Sequence, residues 1–178
     1  MAKEIEKKYL LREAGTDHTS SAFKTYFPEG LEELTRRALR EGDNINQGYL
    51  SLWDGQALCT RLGIAPIFDV AEARLRDKAG TYTYTLKGKG GVERDELETQ
   101  VTEAYFNMLW PRTENNRLQK TRLKLPHMGY TLEIDQYLDR DLVTAEIEFP
   151  TKEEAASLVA LGQDVTRNPA YKNRNLAT

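Results

Sequence analysis

Residues 4–8, Glu4-Ile5-Glu6-Lys7-Lys8, have the alternating pattern of a β-strand with one charged face. Successive side chains of a strand point to opposite faces of the sheet, so Glu4, Glu6 and Lys8 share one face and Ile5 lies on the other. Two carboxylates and an ammonium on one face of a strand form either a solvated surface or the lining of a site. The other strands of the chain distinguish between these two interpretations.

The length fits a single domain over residues 1–178, or one domain plus a decoration, and the composition is that of a polar but globular chain. The net charge of −3 is too small to indicate a nucleic-acid or membrane partner, so an anion site must be local. Cys59 is the only cysteine, which excludes an internal disulfide and indicates a reducing compartment. No apolar run approaches the roughly 20 residues of a membrane span, and residues 1–8 lack the apolar core of a signal peptide. We therefore expect a cytoplasmic protein.

Short alternating or apolar segments predict eight β-strands with short connections between most of them. These segments are residues 5–11, 47–52, 71–77, 82–87, 94–101, 118–125, 130–137 and 144–149. Consecutive strands joined by short turns favour an antiparallel sheet. The predicted fold class is α+β, mainly β.

Helices are predicted within residues 31–42, at 103–109 and within 152–161. From Leu31 to Leu39 the apolar residues recur at helical spacing, and Gly42 offers a stop. This helix lies in an expected helical insertion at about residues 17–46. Residues 53–69 contain several breakers, and we expect a loop or a small hairpin there.

Nearly every predicted strand has one face of charged residues. The bases on these faces are Lys8, Arg74, Arg76, Lys87, Arg94, Lys120, Arg122 and Lys124, and the acids are Glu4, Glu6, Glu96, Glu98, Glu133, Asp135, Glu146 and Glu148. For one strand alone, a solvated face is the simpler interpretation. Across seven strands the like charges recur as doublets, and such doublets repel one another unless a ligand relieves them. The basic doublets suit a polyanion, and the acidic doublets suit divalent cations.

If the sheet closes into a barrel, the charged faces line its interior. Small barrels are normally filled by apolar side chains, so a charged lining indicates a hydrated tunnel, with the apolar face turned outward against helices. Bases that hold a phosphate chain, together with metal ions that bridge carboxylates to phosphates, form a site for phosphoryl transfer.

This set of motifs resembles the CYTH superfamily, also called the triphosphate tunnel metalloenzymes. Its hallmark is a Glu-x-Glu-x-Lys strand near the N-terminus, which Glu4-Ile5-Glu6-Lys7-Lys8 matches. Further motifs follow in the family's order: Gln47-Gly48-Tyr49-Leu50, Arg74-Leu75-Arg76, Thr85-Leu86-Lys87, Glu96-Leu97-Glu98, Lys120-Thr121-Arg122, Glu133-Ile134-Asp135 and Glu146-Ile147-Glu148. Tyr171-Lys172-Asn173 is similar to a tail motif of the short bacterial members.

The resemblance implies an eight-stranded antiparallel β-barrel tunnel, with helices packed outside, that hydrolyses or cyclises triphosphates with Mg²⁺ or Mn²⁺. It implies that the phosphates are held by Lys8, Arg74, Arg76, Lys87, Lys120 and Arg122, to which we add Arg94 from the charged face of its strand. It also implies that metals or the attacking water are held by Glu4, Glu6, Asp135, Glu146 and Glu148. Glu96, Glu98 and Glu133 are second choices for either role. We expect Lys8, Glu4 and Glu148 to act in catalysis, Lys8 by orienting the water or protonating the leaving group.

The predicted function is metal-dependent hydrolysis of triphosphates, with inorganic tripolyphosphate as the preferred substrate. The alternatives are a class IV adenylyl cyclase, a thiamine triphosphatase, and a polyphosphate-binding module without turnover. The sequence contains no clear adenine-recognition motif, and binding alone needs only the bases. A homodimer is possible, and residues 17–46 and 53–69 are candidates for a lid or a dimer surface.

Overall fold

A computed structural model of the chain describes residues 2–66, 68–90 and 92–178. Within these residues there are ten β-strands: β1 (Ala2–Glu13), β2 (Thr16–Asp17), β3 (Asp43–Leu50), β4 (Val70–Lys78), β5 (Thr81–Gly88), β6 (Glu93–Gln100), β7 (Arg117–His127), β8 (Tyr130–Tyr137), β9 (Leu142–Glu148) and β10 (Gln163–Asp164).

The same residues contain six α-helices: α1 (Ser21–Tyr26), α2 (Gly30–Glu41), α3 (Leu52–Leu62), α4 (Glu103–Leu109), α5 (Lys152–Ser157) and α6 (Asn173–Leu176). Two 3₁₀ helices lie at Trp110–Thr113 and Pro169–Tyr171. None of the helices in the described ranges is long and apolar enough to cross a membrane.

Eight of the strands close into a barrel in which each strand pairs with both neighbours in antiparallel orientation. The order around the barrel is β1, β6, β5, β4, β3, β7, β8 and β9, and β9 pairs with β1 to complete the ring. The two-residue strands β2 and β10 add to the edges of β1. The predicted eight-stranded antiparallel barrel with helices outside is therefore confirmed.

The outward face of the barrel is apolar and packs against the helices. Leu31, Leu34 and Ala38 of α2 belong to one buried cluster with Leu132 and Ile134 of β8. A second outer cluster joins α3 and α4 to β4 and β5. Because the helices remove this face from water, the hydrophobic effect stabilises a barrel whose inward face carries charges.

The expectation of a loop or hairpin at residues 53–69 is wrong over its first half, where α3 lies. Ser51 caps this helix by accepting a hydrogen bond from the Asp54 N–H, and Gly63 ends it in the left-handed region at φ 65°. Gly55 is a packing residue here, since a Cβ at this position would lie 2.6 Å from the Cβ of Ala73 on β4. Ile67, also in the predicted segment, lies outside the described residues.

Other element boundaries differ modestly from those predicted. The second predicted strand, 47–52, is β3 at Asp43–Leu50, because Ser51 already caps α3. The helix predicted within 152–161 ends at Ser157, and α1 was not expected. The segment 17–46 contains α1 and α2, but its last residues belong to β3. The single domain stays a prediction.

The interior of the barrel is not charged along its whole length. Leu10, Tyr49, Leu118, Tyr137 and Leu142 point inward and form a buried apolar cluster at one end. Val165, which follows β10, joins this cluster, and Leu176 packs against it. The charged lining therefore belongs to a cavity with an apolar floor.

Candidate functional site

The barrel encloses a cavity of about 360 Å³ that is lined mainly by charged side chains. The acids that line it are Glu4, Glu6, Glu72, Glu96, Glu98, Glu133, Glu146 and Glu148, and the bases are Lys8, Arg74, Arg76, Lys78, Lys87, Arg94, Lys120, Arg122, Lys124 and Lys172. Strand alternation brings residues that are far apart in sequence to the same interior surface.

The charges of the lining are divided between two opposite walls. Four consecutive strands, β8, β9, β1 and β6, form an acidic wall that carries all the lining carboxylates except Glu72. The other four, β5, β4, β3 and β7, form a basic wall that carries the lining bases except Lys8, Arg94 and Lys172. The cavity therefore presents cations on one side and carboxylates on the other.

Ion pairs connect the walls near the two seams where they meet. At the β5–β6 seam, Lys87 Nζ lies 2.7 Å from Glu96 Oε2 and 2.7 Å from Glu4 Oε1. At the β7–β8 seam, Arg122 pairs with Glu133, and its Nη2 donates to Glu146 Oε2 at 2.6 Å. These pairs keep most of the charged lining neutral.

Glu6 and Glu148 lie in the middle of the acidic wall and are poorly neutralised. Burial, together with the charges of Glu146 and Glu4, raises the pKa of Glu6 to about 7. Partial burial and neighbouring carboxylates also raise the pKa of Glu148, which has no ion-pair partner among the described residues. This pair of carboxylates is therefore the part of the lining that most needs a cation.

Arg74 and Arg76 lie on the basic wall and keep unused hydrogen-bond donors. Arg74 Nη2 donates to Thr85 Oγ1 at 3.1 Å, and Arg76 Nη2 donates to Glu98 Oε2 at 3.0 Å. The Nε atoms of both arginines are buried and lack a partner in the described part of the chain. Burial and the charge of Arg74 lower the pKa of Arg76. An anion bound here would relieve this repulsion.

Asp135 lies behind the lining and is fully buried. Its Oδ2 accepts from Lys120 Nζ at 2.5 Å, and its Oδ1 accepts from Arg122 Nε at 2.7 Å. Although burial by itself raises it, the pKa of Asp135 is lowered by Arg122 and Lys120. The carboxylate thus holds both bases in fixed positions on the basic wall.

Lys8 lies where the charged lining meets the apolar floor. Its Nζ lies 3.0 Å from Glu146 Oε1, 3.1 Å from Asn173 Oδ1 and 3.5 Å from the Tyr137 hydroxyl. Burial alone lowers the pKa of the ammonium, but Tyr137, Glu146 and Asp135 raise it more. Lys8 is therefore a fixed cation at neutral pH.

The acidic wall fits a divalent cation whose coordination shell is only partly supplied by the protein. No group of three or more His, Cys, Asp and Glu side chains within the described ranges is already gathered around a metal position. Mg²⁺ is usually held by one or two carboxylates, with waters and substrate phosphates as the remaining ligands, and does not need a protein cage. Glu6 and Glu148, paired in register on β1 and β9, supply two such carboxylates.

All but one of the predicted site residues line this cavity, and Asp135 lies directly behind it. Glu72 and Lys78 also line the cavity and were missed, although they share a strand face with Arg74 and Arg76. The cavity residues Thr166, Tyr171, Lys172 and Asn173 were not predicted as site residues. They lie after β10, in loops and short helical turns, where strand alternation gives no signal.

Two curated proteins are similar to the whole chain. An inorganic triphosphatase of Nitrosomonas europaea is 39% identical over 181 residues, with 98% of this chain and 96% of that protein covered. An inorganic triphosphatase of Acetivibrio thermocellus is 28% identical, with 99% of this chain and 94% of that protein covered. No protein-family profile matches the sequence.

Solved structures share the fold over most of the chain. The crystal structure of the inorganic triphosphatase NE1496 superposes with a TM-score of 0.56 at 27% identity, covering 99% of this chain and 95% of that one. A putative adenylate cyclase from Bacillus halodurans superposes with a TM-score of 0.51 at 15% identity, covering 88% of this chain and 86% of that one, which shows a common fold alone. The chain therefore belongs to the inorganic triphosphatases of the CYTH superfamily, the triphosphate tunnel metalloenzymes.

Proposed function

We propose that this protein is a metal-dependent triphosphatase that hydrolyses inorganic tripolyphosphate to pyrophosphate and phosphate. The observation that carries the proposal is the division of one cavity into a basic and an acidic wall. A polyanion and the divalent cations that accompany it need these two surfaces at once. The curated relatives are named inorganic triphosphatases, in agreement with this chemistry.

The basic wall is the proposed binding surface for the phosphate chain. The residues assigned to it are Arg74, Arg76, Lys87, Lys120 and Arg122, with Lys8 and Arg94 reaching in from the opposite wall. The Nη1 groups of Arg74 and Arg76 donate no hydrogen bond to the described residues, so they can bind phosphate without losing other hydrogen bonds. Asp135 supports this surface by holding Lys120 and Arg122, and we assign it this role in preference to metal binding.

The acidic wall is the proposed metal surface. Glu6 and Glu148 are the leading ligands because their charge is least compensated, and Glu4 and Glu146 can join them after exchanging their present ion pairs. We expect Mg²⁺ or Mn²⁺, since hard carboxylate and phosphate oxygens suit both. When bound, such a cation neutralises phosphate charge and polarises a water molecule.

The catalytic roles follow from the charge states of three residues. Glu148 lines the cavity and has no ion-pair partner in the described residues, so a carboxylate oxygen that is not a metal ligand can accept the proton of the water that attacks the terminal phosphorus in line. Lys8 stays protonated and stabilises the negative charge that develops on the phosphates. Glu4 keeps Lys87 and Arg94 in position by accepting from both. The bond that breaks joins the terminal phosphorus to its bridging oxygen, and pyrophosphate leaves.

The cavity lining favours an inorganic substrate. Its aromatic residues are Tyr49 and Tyr171, and the hydroxyl of each is already hydrogen-bonded, to Gln47 and Glu13 respectively. The Tyr49 ring is buried, so it offers no open face on which an adenine or thiamine ring could stack.

The test is a comparison of initial rates with tripolyphosphate, ATP and thiamine triphosphate, each with Mg²⁺, following phosphate, pyrophosphate and cyclic AMP. The proposal expects equal amounts of phosphate and pyrophosphate from tripolyphosphate and much slower reactions of the other two. Cyclic AMP from ATP would make the protein a cyclase, and binding without turnover would make it a binding module.

A further inference from the structure

The segment 163–178 lies across the apolar end of the barrel and is fastened on both sides. On one side β10 pairs with β1. On the other, Thr178 and Arg117 exchange two backbone hydrogen bonds at 2.9 and 3.3 Å. Between these points Val165, Leu176 and Ala177 cover the floor cluster. The segment is therefore anchored to the barrel at both ends and by these apolar side chains.

This segment contacts Lys8 at three points. The Val165 N–H donates to the Lys8 carbonyl at 2.9 Å, and the Lys8 N–H donates to Thr166 Oγ1 at 3.0 Å. The third contact is made by the side chain, since Lys8 Nζ donates to Asn173 Oδ1 at 3.1 Å. Both the backbone and the ammonium of this residue are thus held by chain that lies outside the barrel strands.

Asn173 connects the Lys8 ammonium to the floor of the cavity. Its Oδ1 also accepts from the Tyr137 hydroxyl at 2.5 Å, which anchors the amide to the floor. Glu146 occupies a second position around Lys8 Nζ at 3.0 Å. An ammonium has three donors, so the amide and the carboxylate together fix its direction and leave one donor near Tyr137.

From these contacts we infer that Asn173 is a positioning residue for Lys8, and that segment 163–178 serves the active site through the contact of Asn173 with Lys8. Asn173 acts through Lys8 and does not bind substrate or metal itself. This inference rests on the proposed function, because Lys8 is there the cation that stabilises charge on the reacting phosphates. Without the amide, the ammonium is free to swing toward Glu146 and lose its alignment with the phosphate chain.

The test uses Asn173→Ala and a matched control, Asn175→Ala, which removes the same side chain two residues later in α6. Asn175 donates to the Pro169 carbonyl within the segment and is exposed. We expect Asn173→Ala to lower kcat on tripolyphosphate on the order of tenfold or more, the effect of one hydrogen bond to a charged group, and to change KM by less than about threefold. Asn175→Ala should leave both constants within about twofold.

A third variant, Asn173→Asp, keeps an oxygen acceptor at the same place and should recover most of kcat. Recovery would show that the acceptor, and not the packing of the segment, supports the reaction. If Asn173→Ala matches Asn175→Ala, or if Asn173→Asp is as impaired as Asn173→Ala, the inference is wrong.

A measurement independent of turnover separates this inference from the proposed function. Acylation of lysines by an amine-reactive ester, which attacks the unprotonated amine, followed by peptide mass spectrometry, reports how accessible each lysine side chain is. Lys8 should be modified faster in Asn173→Ala than in Asn175→Ala, whereas Lys152 should react equally in both. If the unmutated protein fails to hydrolyse tripolyphosphate, the proposed function falls, and the labelling still shows whether Asn173 restrains Lys8. Equal labelling of Lys8 in the two variants would overturn the restraint itself.

Discussion

Glu6 of β1 and Glu148 of β9 are direct partners in the antiparallel pair that closes the barrel, and both side chains line the cavity. Like charges opposite each other on one sheet face destabilise the sheet. The surrounding ion pairs offset this repulsion at the seams but not here, because Glu148 has no ion pair in the described residues and Arg94 reaches Glu6 only at 3.4 Å. We interpret the pair as a place where folding stability is given up for cation binding.

The first prediction is that Glu6→Gln stabilises the metal-free protein and inactivates the enzyme. The pKa of Glu6 is raised from 4.5 to about 7, so its ionised form is disfavoured in the folded state. The increase in the free energy of unfolding caused by Glu6→Gln is therefore full above about pH 7. It is absent below pH 4.5, where Glu6 is protonated in both the folded and the unfolded protein. Thermal unfolding in EDTA at pH 8 and pH 4 measures this stabilisation, and we expect it to be on the order of 3 kcal/mol at pH 8 and absent at pH 4.

The same variant should lose most of its phosphate release from tripolyphosphate, about a hundredfold, because one of the two leading ligands is gone. Glu114→Gln is the control, since Glu114 is an exposed residue outside the cavity. A variant Glu6→Gln that is less stable at pH 8 than the original protein would contradict the account of charge repulsion.

The second prediction distinguishes two arginines on the basic wall. Arg122 pairs with Asp135, Glu133 and Glu146, so Arg122→Ala leaves carboxylates uncompensated and should cost about 3–5 kcal/mol of the free energy of unfolding. Within the described part of the chain Arg76 has one ion-pair partner, Glu98, and it is repelled by Arg74. Arg76→Ala should therefore cost little stability.

Arg76→Ala should instead raise KM for tripolyphosphate about tenfold or more, because donors to the phosphates are lost. Urea unfolding and steady-state kinetics on both variants test the pair. Equal losses of stability would show that the two arginines do not differ in the way their contacts indicate.

The third prediction concerns His127, which is buried outside the cavity between two aromatic rings. Its ring centroid lies 4.8 Å from that of Tyr26 and 5.6 Å from that of Phe27, and its Nε2 is buried with no partner in the described ranges. Burial lowers the pKa of His127 below 6.5, so the unfolded chain binds this proton more readily. His127 should therefore not lower the free energy of unfolding above pH 6.5, and the free energy of unfolding should decrease as the pH falls below that value.

His127→Phe should reduce the loss of stability between pH 7.5 and pH 5.5, since the ring stays apolar at both. Urea unfolding at these two pH values measures the change, and pH 8.5 serves as a reference where the imidazole is neutral in both states. An unchanged slope in the variant would show that His127 does not contribute to acid sensitivity.

Much of the barrel was predictable because period-two alternation is a strong local signal. The charged faces of seven strands correctly indicated which side chains meet in the interior, since alternation alone sets the face. Asp135 shows the limit of this signal: alternation places it on the inner face but does not reveal that Lys120 and Arg122 cover it. The role of Asp135 in supporting Lys120 and Arg122 follows from its complete burial, which strand alternation does not predict.

The missed features depend on tertiary contacts that no local pattern encodes. In the sequence, Gly55 indicates a break in secondary structure. In the fold, it lies within α3 and lets this helix approach Ala73 closely. Asn173 follows an irregular stretch, and only the path of segment 163–178 across the barrel brings it to Lys8. The apolar floor, similarly, arises where the inner faces of five strands change from charged to apolar at the same level.

The central claim is that the opposed walls bind tripolyphosphate and a divalent cation together for hydrolysis. The most direct test is the rate of phosphate release from tripolyphosphate by one protein sample with Mg²⁺, after addition of EDTA, and after Mg²⁺ is restored in excess. We predict rapid release, its loss in EDTA, and its recovery, with Mn²⁺ able to replace Mg²⁺. Release that continues unchanged in EDTA, or no release under any of these conditions, would contradict the account.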